Sequence, residues 1–122
     1  MDSRTKILGP EEAAGKIQEW KREGAPVTVV RGTFDPLLAA HVRALEAMKG
    51  ETLRLAVFIV EGSAPILPPA VRAELVAALR AVDLVAAGDV PVAMDAQDLV
   101  EADERRTANF IEHVHQRNQA KS

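Results

Sequence analysis

Apolar residues along this chain recur in two rhythms, one of helical period and one of short unbroken runs. After Gly9, Pro10 takes a first-turn position, Glu11 and Glu12 face the positive end of a helix dipole, and Ala13, Ala14, Ile17 and Trp20 follow at helical spacing until Gly24. Val27 to Val30 is a short β-branched run that predicts a buried strand. Asp35-Pro36 then reads as N-cap and first residue of a second helix, with Leu37, Leu38, His41, Leu45 and Met48 along it as far as Gly50. Leu53 to Val60, apolar apart from Arg54, predicts a second strand covered on both faces. Residues 61–69 form a loop, and a helix follows from about Pro69 to Val82 with Val71, Leu75, Ala78, Leu79 and Val82 inward. Asp83 to Ala87 is a third strand, Val90 to Met94 could form a short fourth, and the acidic stretch from Asp95 to Glu104 fits no element. A final helix from about Thr107 to Arg117 places Phe110, Ile111 and Val114 on one face. Strands alternating with helices predict an α/β fold of three layers around a small, mainly parallel sheet. At 122 residues the expectation is one domain spanning 1–122.

Composition narrows the chemistry. With no cysteine the chain has no disulfide, thiol nucleophile or thiolate metal ligand, which suits a reducing cytoplasm. The polar stretch Met1 to Lys6 leads to the expectation that the chain is not exported, and the aliphatic run Leu55 to Val60 is too short to cross a bilayer. A net charge of −3 offers no general attraction for nucleic acid or anionic lipid, so phosphate binding must be local. One Trp, three Phe and no Tyr provide no stacking platform for single strands. His113 and His115, two apart on a helix, point different ways and form no metal pair.

Candidate chemistry gathers where the first strand runs into the second helix, at Gly32-Thr33-Phe34-Asp35-Pro36-Leu37-Leu38-Ala39-Ala40-His41. A strand-to-helix turn of this kind suits a phosphate cradle. The segment resembles the Gly-x-Phe-Asp-x-x-His-x-Gly-His signature of the cytidylyltransferase-like nucleotidyltransferases, matching at Gly32, Phe34, Asp35 and His41. Leu38 stands in place of the first histidine and Ala40 in place of the glycine. Two further segments fall in the family's order. Ala64-Pro65-Ile66-Leu67-Pro68-Pro69-Ala70-Val71-Arg72-Ala73, continuing to Val82-Asp83-Leu84-Val85, and then Glu104-Arg105-Arg106-Thr107-Ala108-Asn109-Phe110-Ile111-Glu112, resemble the adenylyltransferase domain of ADP-heptose synthesis enzymes, kin of glycerol-3-phosphate cytidylyltransferase. Against that pattern, Val60-Glu61-Gly62 replaces an Asn-Ser-Asp, the lysine-bearing loop after it is absent, and the stretch from Val85 to Arg105 is shortened, which predicts a sheet trimmed at one side.

The resemblance implies nucleotidyl transfer from ATP or CTP, with Mg²⁺, to a sugar or polyol phosphate. Chemistry of that type consists mainly of alignment and charge neutralisation. Leu38 donates nothing and Ala40 adds a methyl in the approach path, which implies weak or lost activity. The alternatives are a catalytically dead module that binds a nucleotide or phosphometabolite, and a homodimeric structural domain.

Each candidate residue also has a plainer reading. His41 is a phosphate contact or a core histidine bonded to backbone. Asp35 is an N-cap or a reacting carboxylate, Gly32 a packing or a phosphate-approach position, Thr33 a phosphate donor or a turn residue, and Phe34 a core or a site residue. Arg72 sits near a helix start, where the dipole does not favour it, so a charged partner such as phosphate is expected. Arg105 is a phosphate contact or half of a surface ion pair, and Thr107 a ligand or an N-cap.

Overall fold

The computed structural model describes residues 3–62, 65–91 and 94–100, together with Arg105, Ile111, Glu112 and Val114. A 3-10 turn over Ser3–Lys6 leads into β1 (Ile7–Leu8), followed by α1 (Pro10–Arg22), β2 (Val27–Gly32), α2 (Ala39–Gly50), β3 (Arg54–Ile59), α3 (Pro69–Ala77), β4 (Leu84–Ala87) and β5 (Gln97–Asp98). Among the described residues the strands form one sheet in the order β1-β4-β3-β2-β5, parallel throughout. Its centre is the six-residue ladder from Val27 opposite Arg54 to Gly32 opposite Ile59.

Alternate residues of the central strands point to opposite faces, and each face has its own core. Val30, Leu55, Val57, Ile59 and Val85 pack with Leu45 of α2 and with Ala73, Val76 and Ala77 of α3. On the other side Val29, Ala56, Phe58, Leu84 and Ala86 pack with Ala13, Ile17 and Trp20 of α1. The expected three-layer α/β architecture is therefore present.

Details of the elements depart from the periodicity. The inward face of α3 carries Arg72, Ala73, Val76 and Ala77, whereas Val71, Leu75 and Ala78 are exposed. Small side chains let this helix approach the sheet closely, so residue size misidentified the buried face. The helix also stops at Ala77 rather than Val82, and Val82 reaches the core from the turn that follows. Lys6 pins that turn by donating from Nζ to the carbonyls of Leu79 at 3.1 Å and Val82 at 2.8 Å. Val90, Pro91 and Met94 lie in no strand, and the acidic stretch instead supplies β5. The last predicted helix falls mostly outside the described residues, where Thr107 and Phe110 lie, and Ile111 and Val114 are exposed.

Two glycines close turns that other residues would strain. Gly24, at φ +82°, ends α1 as expected. Gly88, at φ +145°, ends β4 directly against the start of α1, where an added Cβ would lie 2.4 Å from Pro10 Cγ. Gly88→Ala is expected to destabilise the fold by about 1–3 kcal/mol, through overpacking and backbone strain. The midpoint of urea unfolding checks this, and an unchanged midpoint would refute the contact.

Because all strands run the same way, the carboxyl ends of β2, β3, β4 and β5 lie at one edge of the sheet. The segments beginning at Gly32, Val60 and Gly88 converge there, as ligand-binding loops of open parallel sheets do. The Val82-Asp83 pair lies at the opposite edge, where the Asp83 carboxylate accepts from the Leu55 N–H at 2.8 Å and from Lys49 Nζ. That part of the family-like pattern is structural.

Candidate nucleotide site

The turn leaving β2 is held from within. Gly32, Thr33, Phe34 and Asp35 are all buried, and Phe34 takes φ +47°, an uncommon backbone for a bulky residue. The Asp35 carboxylate accepts from the backbone N–H groups of Ile66 at 2.6 Å and Leu67 at 2.8 Å. Asp35 is thus not the N-cap of α2. That helix begins at Ala39 with Leu38 in the capping position, because the carboxylate is engaged by the β3–α3 loop and the chain turns again before helical bonding starts.

His41 stands in the first turn of α2. Its Nδ1 accepts from the Leu38 N–H at 2.9 Å, so one unpaired amide of the helix start is satisfied by the imidazole. With Nδ1 accepting, a neutral ring carries its proton on Nε2. The ring is fully buried and meets Phe34 edge to face, with centroids 5.3 Å apart. Leu38 and Ala40, which flank it, are half-buried.

Arg72 is fully buried as well. Its Nε donates to Leu67 O at 3.1 Å, Nη1 donates to Thr33 O at 2.9 Å and to Val60 O at 3.1 Å, and Nη2 donates to Glu61 Oε1. One guanidinium thereby ties the turn after β2, the end of β3 and the loop before α3 together. The charged partner expected for Arg72 is a carboxylate of the same chain, Glu61.

An open cleft of about 510 Å³ lies at this edge, lined by Arg31, Ile59, Val60, Glu61, Pro69, Ala87, Gly88 and Asp89. Arg31 comes from β2, and its guanidinium reaches Asp89 beyond β4 and Asp98 in β5. The bond from Arg31 holds the Asp89 carboxyl below its ordinary value, and the bond to Asp89 raises Arg31. Since Asp89 is lowered in the folded chain, this tie is intact at neutral pH and is lost as the pH falls through the carboxylate range.

Sequence reasoning did not single out Arg31 and Asp89. The available signal was Arg31 as the one charged position at the end of an apolar strand. Of the residues it did name, Gly32, Thr33, Phe34, Asp35, His41 and Arg72 come together around the β2–α2 turn. Arg105 is exposed, and Thr107 lies outside the described residues. Among the described residues no three His, Asp or Glu side chains converge on a metal position, and no helix is long and apolar enough to cross a membrane.

The chain is 41% identical to a bifunctional protein HldE of Rhodopseudomonas palustris over 91 residues, covering 66% of this chain and 19% of that protein. It is 34% identical over 88 residues to proteins of the same name from Bradyrhizobium diazoefficiens and Gluconobacter oxydans. Over about two thirds of its length this chain is similar to the HldE proteins. It spans about a fifth of the length of these curated relatives. No family model matches it. The HldE kinship bears out the resemblance to the ADP-heptose adenylyltransferases that the three motifs carried.

Proposed function

We propose that this chain is a nucleotidyltransferase-type domain that holds a nucleotide at the carboxyl edge of its sheet, with transfer from ATP or CTP to a sugar or polyol phosphate weak or lost. Kinship with the HldE proteins supports the nucleotidyltransferase part. The state of His41 carries the rest. Its imidazole is wholly buried and Nδ1 is engaged by its own helix, while the neighbouring donor position is occupied by Leu38.

In the reaction an acceptor phosphate oxygen attacks the α-phosphorus of the triphosphate, and pyrophosphate leaves along the opposite bond. Catalysis then depends on donors and cations that meet the charge developing on the phosphoryl oxygens. Here the buried Thr33 to Asp35 turn fixes the backbone, Asp35 and Arg72 clamp it, and His41 orders the start of α2. None of these needs to move a proton. Mg²⁺ would arrive with the triphosphate and neutralise its charge.

Two measurements separate the parts of this reading. ATP or CTP with Mg²⁺, at about 100 times its dissociation constant, should stabilise the fold by roughly 2.7 kcal/mol and raise the melting temperature. Pyrophosphate release with heptose 1-phosphate or glycerol 3-phosphate should be slow or undetectable. No thermal response to either nucleotide would refute the binding, and rapid turnover would refute the loss of chemistry.

A further inference from the structure

Arg31 occupies the penultimate position of β2, next to the Gly32 turn, and is the sole cation among the residues described as lining the carboxyl-edge cleft. Its Nε and Nη2 donate to the two carboxylate oxygens of Asp89, each at 3.1 Å, and Nη1 donates to Asp98 Oδ2. This two-oxygen contact is also the geometry in which a guanidinium receives a phosphate. The three side chains differ in freedom. Arg31 is 27% exposed, rooted in the central ladder of the sheet, whereas the Asp89 side chain is 62% exposed and follows the turn at Gly88. Asp98 belongs to β5, paired through Arg31 to β2, whereas Asp89 lies in no strand and its carboxylate is otherwise held by the adjacent Val90 N–H at 2.7 Å.

Two carboxylates around one guanidinium also leave a local excess of negative charge. A phosphate approaching Arg31 therefore meets repulsion unless a carboxylate withdraws. Asp89, whose side chain is 62% exposed, can exchange the guanidinium for water.

We propose that Arg31 is the phosphate-receiving group of this cleft and that Asp89 is its internal stand-in, displaced when pyrophosphate or a phosphate ester binds. The inference rests on the reading of this cleft as the nucleotide site, and it adds the receiving residue and the competition that sets its affinity. Asp98 keeps its bond and holds the guanidinium in place during the exchange.

Calorimetric titration of the whole chain with inorganic pyrophosphate tests the exchange. Asp89→Asn should tighten binding about tenfold, because the competing charge is gone. Arg31→Lys, which retains charge but not the fork, should weaken binding by about tenfold, and Arg31→Gln should abolish it. Should Arg31→Gln fail to fold, the Asp89→Asn and Arg31→Lys arms still decide. Affinity unchanged or weaker in Asp89→Asn, wild-type affinity in Arg31→Lys, or no pyrophosphate binding by either wild type or Asp89→Asn overturns the proposal. Titration of the same variants with ATP and CTP distinguishes the two readings. Nucleotide binding indifferent to both residues overturns the Arg31 exchange and leaves the proposed function standing. Pyrophosphate binding with the stated dependence, but without nucleotide binding, supports the exchange and overturns the nucleotide reading.

Discussion

Arg72→Ala is expected to cost about 3–5 kcal/mol of folding stability, comparable with other losses of a buried charged partner. The side chain is fully buried and donates to three backbone carbonyls, Thr33, Val60 and Leu67, besides the Glu61 carboxylate. Truncation leaves those acceptors without their donor, and each unsatisfied buried group costs about 1–3 kcal/mol. Arg72→Met separates polarity from volume. It refills most of the space yet leaves the same carbonyls unpaired, so it should recover only a minor part of the loss. Glu61→Gln should cost no more than about 1 kcal/mol, because that carboxylate is 55% exposed. Urea unfolding of the three variants gives the comparison. Wild-type stability in Arg72→Met would show that these bonds do not hold the turn and would return Arg72 to the list of ligand contacts.

The second large effect runs in the opposite direction. Leu38→His combined with Ala40→Gly is expected to raise pyrophosphate release by roughly 100–1,000-fold, the range associated with one preorganised donor to a developing oxyanion. Position 38 precedes the first turn of α2 and is half-buried, three residues before His41, so a side chain there stands beside the turn leaving β2. Removing the methyl of Ala40 lets a phosphate approach the backbone at the helix start. The same pair should strengthen nucleotide binding. Full activity is not expected, because the lysine-bearing loop of the resembling family is missing between Glu61 and Arg72. Assay of release with both nucleotides and either acceptor phosphate measures the gain. If affinity and rate both stay at the wild-type level, the Gly32–His41 turn is not where nucleotide binds.

These expectations depend on features that the sequence displayed unevenly. The strands were legible because β-branched runs such as Val27–Val30 and Leu55–Val60 are buried on both faces, and burial of that kind leaves an uninterrupted apolar signature. The turn was legible because glycine, aspartate and proline punctuate it. The buried face of α3 was not, since Ala73 and Ala77 seat the helix while the larger Val71 and Leu75 face outward. Both edge strands were missed because two residues are too few to show alternation.

Polar partners were the least legible feature of the site. Asp35 bonds to amides more than 30 residues away, and Arg31 to carboxylates 58 and 67 residues away. Local pattern read Asp35 as a helix cap and did not single out Arg31, because a hydrogen-bond partner is chosen by proximity in space. Local backbone preference and apolar periodicity, which act within a few residues, were enough to determine an α/β chain, its central strands and the turn that leaves the first of them. Only the parallel sheet decided the fates of Asp35, Arg72 and Arg31. By bringing the ends of β2, β3, β4 and β5 to one edge, it placed acceptors and donors within reach that no sequence distance foretells, and buried polar groups there must pair with whatever the fold puts beside them.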